Sequence, residues 1–348
     1  MEDIPNDDQL IEKNEPNKCA VCGSSWIEQG YPTPLCSDCR QRLIKFPIPP
    51  LIKIFAVIIV AIVLIGMMRL PQNISLGIHN GRGQKAFKNK QYQTAQDEFK
   101  NVLDVAPQYT KAKMNRALAS FYVQDYKLLI SDLGELEGKQ IEDEDLYAQL
   151  VLVSNQLTNY LPGDSFLAME QVYADSAGVI PAKELQKYIS KNPDEVYALI
   201  VLASSYFNSK EYAVTDSILT NVLKKDPDHL TALALMTTTK RELNQLEESI
   251  QYCDKLISVN KESIYGISSK ARTFLKMQRD KEALQLALQA KEIKKDDPYN
   301  LATLALVYHF NNMTRQRDEI ISSAANDSTA KTYFEFVNDV INNKVKFR

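Results

Sequence analysis

Four of the five cysteines fall into two short pairs, Cys19-Ala-Val-Cys22-Gly and Cys36-Ser-Asp-Cys39, separated by thirteen residues. Each CxxC pair can turn two thiolates toward one side of an ion, and two such pairs complete a tetrahedral S4 site suited to zinc. Iron in a rubredoxin-like site and a redox dithiol are the alternatives. Gly23 can supply the positive φ that such a turn uses, whereas Arg40 departs from a CxxCG form after the second pair. Four protein ligands leave no open coordination position, so the expected metal is structural rather than catalytic. Clustering rather than dispersal of cysteines also argues against a secreted disulfide scaffold and for a reducing compartment. Cys253 stands alone and is expected to be a small buried hydrophobe.

A module of about residues 17–45 must position these thiols, and it is too short to build a core of its own. Trp26, Tyr31 and Leu35 are expected to pack over the site rather than to contact a partner. Residues 17–42 resemble the short zinc-ribbon modules found at the N-terminus of many bacterial membrane proteins.

Charge gives the module little appetite for nucleic acid. The whole chain of 348 residues has a formal net charge of -3. Within residues 1–50, eight acidic side chains outnumber five basic ones, so the segment repels phosphate on average, and an acidic, disordered tail is expected over residues 1–16. Enzyme chemistry has no evident seat either. His79, His229 and His309 are far apart in the chain, and no Gly-rich phosphate loop, HExxH or GxSxG occurs. The acidic pairs Asp143 with Asp145 and Asp296 with Asp297 are expected at helix starts, as caps. No small-molecule substrate is indicated.

From Ile54 to Met68 the chain reads IFAVIIVAIVLIGMM without a charge. With its apolar flanks, and with Lys53 and Arg69 able to snorkel, residues 51–70 make a unit of about 20 residues that spans roughly 30 Å as a helix. No small-x-small cleavage site follows, so an uncleaved signal anchor is expected. Arg40, Arg42, Lys45 and Lys53 precede it, against Arg69 and Arg82 after it. The positive-inside rule then puts the N-terminus in the cytoplasm and the rest beyond a single-pass membrane, expected to be a bacterial inner membrane.

After the span the sequence becomes periodic. Tyr92, Ala95, Phe99, Val102 and Pro107 follow the pattern Y-x2-A-x3-F-x2-V-x4-P, and the same offsets recur at Tyr212, Thr215, Leu219, Val222 and Pro227. Anchors at Tyr92, Tyr126, Gly178, Tyr212, Leu246, Asp280 and Thr314 step by 34 residues except once by 52, which is 34 plus 18 and fits one extra helix near residues 145–160. Gly83, Ala117, Ala203, Ala271 and Ala305 put small residues where neighbouring helices approach; Thr237 and Met169 do not. This region, residues 76–328, resembles the tetratricopeptide repeat (TPR) family. The expected fold is all-α: a right-handed superhelix of about seven TPR-type helix pairs stacked in register, preceded by a small zinc ribbon and one transmembrane helix, and closed by a capping helix over residues 329–348.

By repeat position, Tyr197, Phe207, Tyr265, Arg272, Tyr299 and Phe310 are expected on or near the groove lined by the inner helices, where aromatics and Arg make contacts that dominate binding. Stacking against the adjacent helix is the alternative use for each. Some members of the family hold a C-terminal carboxylate with Lys, Asn and Arg on the first three repeats. The matching positions here are Asn80, Gln84, Asn115, Gly163 and Leu167, and only Asn115 agrees. What the resemblance implies is a non-catalytic, membrane-anchored scaffold that binds other proteins through the array. The alternative is a membrane-tethered regulator whose zinc module contacts a cytoplasmic partner or nucleic acid.

Overall fold

A computed structural model describes residues 17–44, 48–176, 178–324 and 329–348. The acidic tail expected over 1–16 lies outside them. Two compact units divide the chain, Met1–Pro71 and Gln72–Arg348.

The first unit holds the cysteines, the short helix α1 (Ser37–Ile44) and the beginning of α2 (Pro50–Lys88). Over Pro50–Met67 the mean hydropathy is 2.8 and none of the stretch is buried against protein. The helix does not stop near residue 70. It runs on to Lys88, and its last turns serve as the first helix of the repeat array.

The second unit is all-helical among the described residues. In chain order it continues with α3 (Tyr92–Val105), α4 (Thr110–Tyr122), α5 (Tyr126–Leu136), α6 (Glu144–Gln156), a 3-10 turn Leu157–Asn159, α7 (Asp164–Tyr173) and α8 (Ala182–Lys191). Then come α9 (Val196–Asn208), α10 (Tyr212–Lys225), α11 (Leu230–Glu242), α12 (Leu246–Val259), α13 (Ile264–Lys276), α14 (Asp280–Ile293), α15 (Pro298–Phe310), α16 (Thr314–Ala324) and α17 (Lys331–Ile341). It is a superhelical stack of hairpins of the tetratricopeptide type.

Small-against-large packing explains why these pairs form. Phe99 of α3 is fully buried on the face of α2 at Gly83, where a Cβ would lie 2.8 Å from the ring. Only glycine allows that approach. Ala117, Ala203, Ala271 and Ala305 are likewise fully buried, and Thr237 satisfies its hydroxyl by donating to the Ala234 carbonyl at 2.7 Å. Truncating Phe99 to alanine would cost about 3–5 kcal/mol, a large share of a typical domain's stability.

Each hairpin turns on one residue in the left-handed region: Lys90, Gln124, Lys210, Asn244, Gln278 and Asn312, with φ between 57° and 64°. The Lys90 amide donates to Phe87 and the Gln91 amide to Ala86, the paired bonds of a Schellman cap, and the same pair recurs at the other hairpins.

The stack is not a simple succession in register. Three helices, α6, α7 and α8, intervene between the α4–α5 hairpin and α9, and the Gly178 anchor lies in a turn with φ +77° rather than at a helix start. The α4–α5 hairpin packs on α6, which follows it, and the first two hairpins also meet α11, α12 and the turn after α12. Leu118, Phe121 and Tyr160 share one core with Leu230, Leu233 and Leu256. A polar seam closes the joint: Glu262 accepts from the Thr94 amide at 2.8 Å and hydroxyl at 2.6 Å, Asn260 Nδ2 donates to the Tyr122 carbonyl at 3.2 Å, and the Lys261 amide donates to the Lys90 carbonyl at 2.9 Å. The far end is also shorter in helix than expected. After Ile341 the chain folds back, burying Phe347 and pairing Arg348 with Asp280 and with the Leu275 carbonyl.

His229 sits in this joint, stacked on Tyr160 with ring centroids 4.1 Å apart. Its Nδ1 accepts from the Ala232 amide at 3.2 Å and its Nε2 faces the Asn159 carbonyl at 3.2 Å, which requires the neutral ring protonated on Nε2. Burial holds its pKa below the ordinary 6.5. A lowered folded-state pKa means that the unfolded chain takes up the proton first, so the contribution is present above about pH 6.5 and is lost on acidification. The thermal midpoint should therefore fall between pH 7 and pH 5, and His229→Asn, which keeps the cap, should be less stable at pH 7 with a flatter profile. Parallel profiles for the two proteins would remove His229 from this account.

Candidate functional site

The four thiols converge. The sulfurs of Cys19, Cys22, Cys36 and Cys39 all lie within 4.8 Å of one another, and Cys22 and Cys36 are 3.6 Å apart. Zinc–sulfur bonds of about 2.3 Å in a tetrahedron require edges of roughly 3.8 Å, so the donor set fits one four-coordinate ion.

Local backbone chemistry builds the cluster. The first pair closes a turn in which the Gly23 amide donates to the Cys19 carbonyl at 2.9 Å and the Cys19 amide to the Ser24 carbonyl at 2.7 Å, with Gly23 at φ +73°. The second pair opens α1 instead. The Arg40 amide donates to the Cys36 carbonyl at 2.9 Å, an ordinary helical bond, so the position after Cys39 has no need of glycine. Arg40 lies 3.6 Å over the Tyr31 ring and pairs with Glu28 at 2.8 Å, fastening α1 to the segment before it. Amides of Cys36, Cys22 and Val21 hold the Cys19 thiol down to about 6, while sulfur contacts with Cys22 and Cys36 push Cys39 up to about 12. Four thiolates this close repel one another, and a cation removes the conflict.

Leu35 is buried beside the cysteines, but Trp26 is 85% exposed and Tyr31 is 56% exposed. The expectation that all three cover the site is corrected. The module is too small to surround an indole, and hydrogen bonds plus the donor set define it instead.

The six groove candidates separate. Tyr197 stands edge-on to Phe166 of α7 at 5.0 Å, and Phe207 leans on Tyr212 of its own hairpin at 5.2 Å. Phe310 is covered by the returning tail, with the Phe347 ring at 5.6 Å and the Arg348 guanidinium at 4.1 Å. Tyr265, Arg272 and Tyr299 do come together: the two rings stack at 4.4 Å with planes 6° apart, and the Arg272 guanidinium lies 4.4 Å over Tyr299. Sequence reasoning missed the fourth member. Arg241, at the end of α11, is buried within electrostatic reach of Arg272 and Tyr299. Its position near a helix C-terminus, where a cation suits the dipole, hid it among ordinary capping residues.

The remaining polar candidates are structural. Asn115 donates to the Lys111 carbonyl of its own helix at 2.8 Å, and Asp143 and Asp297 cap α6 and α15. Cys253 is fully buried, and burial pushes its thiol up to about 12, as an inert core residue requires.

No family model matches the chain, and no curated protein matches it. Among solved structures, a thermophilic TPR protein of Thermus thermophilus is similar at 15% identity, over 45% of this chain and 88% of that one, with a TM-score of 0.38. MamA is similar at 15% identity over 47% of this chain and 88% of that one, with a TM-score of 0.33. The TPR domain of P58(IPK) is similar at 15% identity over 72% of this chain and 69% of that one, also with a TM-score of 0.33. Likenesses this distant support no inference about ligands or partners.

If the cysteines hold one metal ion, elemental analysis of the full-length protein in detergent should find one equivalent, and Cys36→Ser should lose it. Because thiolates are the ligands, affinity should fall at least tenfold between pH 7.5 and pH 6.5. Full occupancy in Cys36→Ser would mean that the four thiols are not the ligand set.

Proposed function

We propose that this protein is a membrane-anchored, non-catalytic scaffold: a structural zinc ion folds the N-terminal module in the cytoplasm, α2 crosses a bacterial inner membrane once, and the array beyond it binds another protein. The observation that carries the reading is α2. Its first part presents large apolar side chains that no protein surface covers, and its last turns are a working helix of a hairpin stack. An uncovered apolar face of that length is stable in lipid and unfavourable in water. Hairpin stacks in turn offer broad, rigid surfaces suited to protein recognition.

The charge pattern supports the orientation, with Arg40, Arg42, Lys45 and Lys53 ahead of the span. Exposure of Trp26 favours a contact of the zinc module with a cytoplasmic protein over a contact with nucleic acid, since an indole on an acidic segment attracts apolar surface and not phosphate.

Fractionation tests the anchor and the orientation together. Full-length protein should stay with membranes in alkaline carbonate and leave only with detergent, and a chain lacking 48–70 should be soluble. In spheroplasts, added trypsin should digest the array and spare the N-terminal module. Carbonate release of the intact chain would end the anchor, and protection of the array would reverse the orientation.

A further inference from the structure

Arg241 and Arg272 belong to successive inner helices, α11 and α13, and are 4% and 6% exposed. Each keeps one guanidinium nitrogen buried without a partner: Nη1 of Arg241 and Nη2 of Arg272. Arg272 uses Nε on the Thr303 hydroxyl at 2.7 Å, and Arg241 turns Nε toward Glu242 at 3.4 Å. Glu242 is shared, since its other oxygen meets Lys276 at 3.3 Å. Two cations, Arg241 and Lys276, thus share one carboxylate, and among the described residues Arg272 pairs with no carboxylate. Burial first, and then the neighbouring Arg241 charge, lowers the Arg272 pKa.

Unmatched buried cations are costly, and natural interiors pair them. The Tyr265 and Tyr299 rings lie parallel, the Arg272 guanidinium rests on Tyr299, and Phe336 stands 6.0 Å from the same guanidinium. Tyr265, Tyr333 and Phe336 are 38%, 37% and 36% exposed, so the rim is open although the cations are not. A planar group with two acceptor oxygens suits flat walls and two free N–H donors better than a tetrahedral anion does.

We propose that Arg241 and Arg272 receive a carboxylate from an acidic side chain of a partner protein, with an aromatic or aliphatic neighbour of that side chain lying on Tyr265 and Phe336. The inference rests on the scaffold reading and supplies the partner's chemistry. The site differs in residues and repeats from the positions Asn80, Gln84, Asn115, Gly163 and Leu167.

The test uses full-length protein in detergent, with four probes: glutarate, inorganic phosphate, a peptide with Glu between two Phe residues, and the same peptide with Gln. The Glu peptide should bind at least tenfold more tightly than the Gln peptide and weaken with added salt. Glutarate should raise the melting temperature and phosphate should not. Arg272→Met and Arg241→Met should each melt at or above the wild-type temperature, because an apolar isostere replaces a buried cation that keeps an unpartnered donor, yet lose the Glu peptide at least tenfold. Both variants melting well below wild type, with no probe bound, would make the arginines structural and overturn the proposal. Tighter binding of phosphate would overturn its carboxylate chemistry. A glutarate response lost in Arg272→Met without any peptide binding would retain the anion site but remove the partner segment, and would count against the scaffold reading.

Discussion

A helix hairpin of this kind has an apolar stripe that it cannot bury alone, and the close approach of Phe99 to Gly83 is where that constraint is tightest. One hairpin needs the next, so the array is cooperative from α2 onward. The same requirement explains the joint to α11 and α12. The α4–α5 hairpin packs on α6 through Leu146, Leu150 and Val153, and the same core, with Leu118, Phe121 and Tyr160, takes in Leu230, Leu233 and Leu256 from a hairpin far along the chain.

The periodic part of this design was legible in the residues. Tyr92, Tyr126, Tyr212, Leu246, Asp280 and Thr314 each start a helix, because the spacing of small and aromatic positions reflects a purely local pairing. The turns were less visible. Lys90, Gln124 and Asn244 take a left-handed conformation that glycine would have advertised, and a Schellman cap can impose it on other residues. The fold-back was not visible at all. Contacts such as Thr94 with Glu262 join positions 168 apart, and no periodicity links them. Packing likewise decided the groove: Phe310 has the right register, but the tail residues Phe347 and Arg348 occupy the surface it would have offered.

Charge is treated differently in different parts of the molecule. Two buried ions of the array are paired: Asp132 takes two bonds from Arg116 at 2.9 and 2.6 Å, and Lys240 is held between Asp216 and Glu248, both at 2.9 Å. Desolvation offsets much of the Coulomb attraction in such pairs, and removing one partner leaves a costly buried charge. Among the described residues, the cysteine cluster and the Arg241–Arg272 pair gather like groups without a full set of opposites. Each is an excess of one sign that a ligand of the other sign relieves, a metal cation in the first and a carboxylate in the second.

Placing a photoreactive phenylalanine at Tyr265 in the full-length chain and irradiating intact cells tests the central claim most directly. The account predicts a discrete adduct with one protein, formed by the wild-type background and absent when Arg272 is also changed to Met. Adducts that are unaffected by Arg272→Met, or labelling of lipid alone, would contradict it.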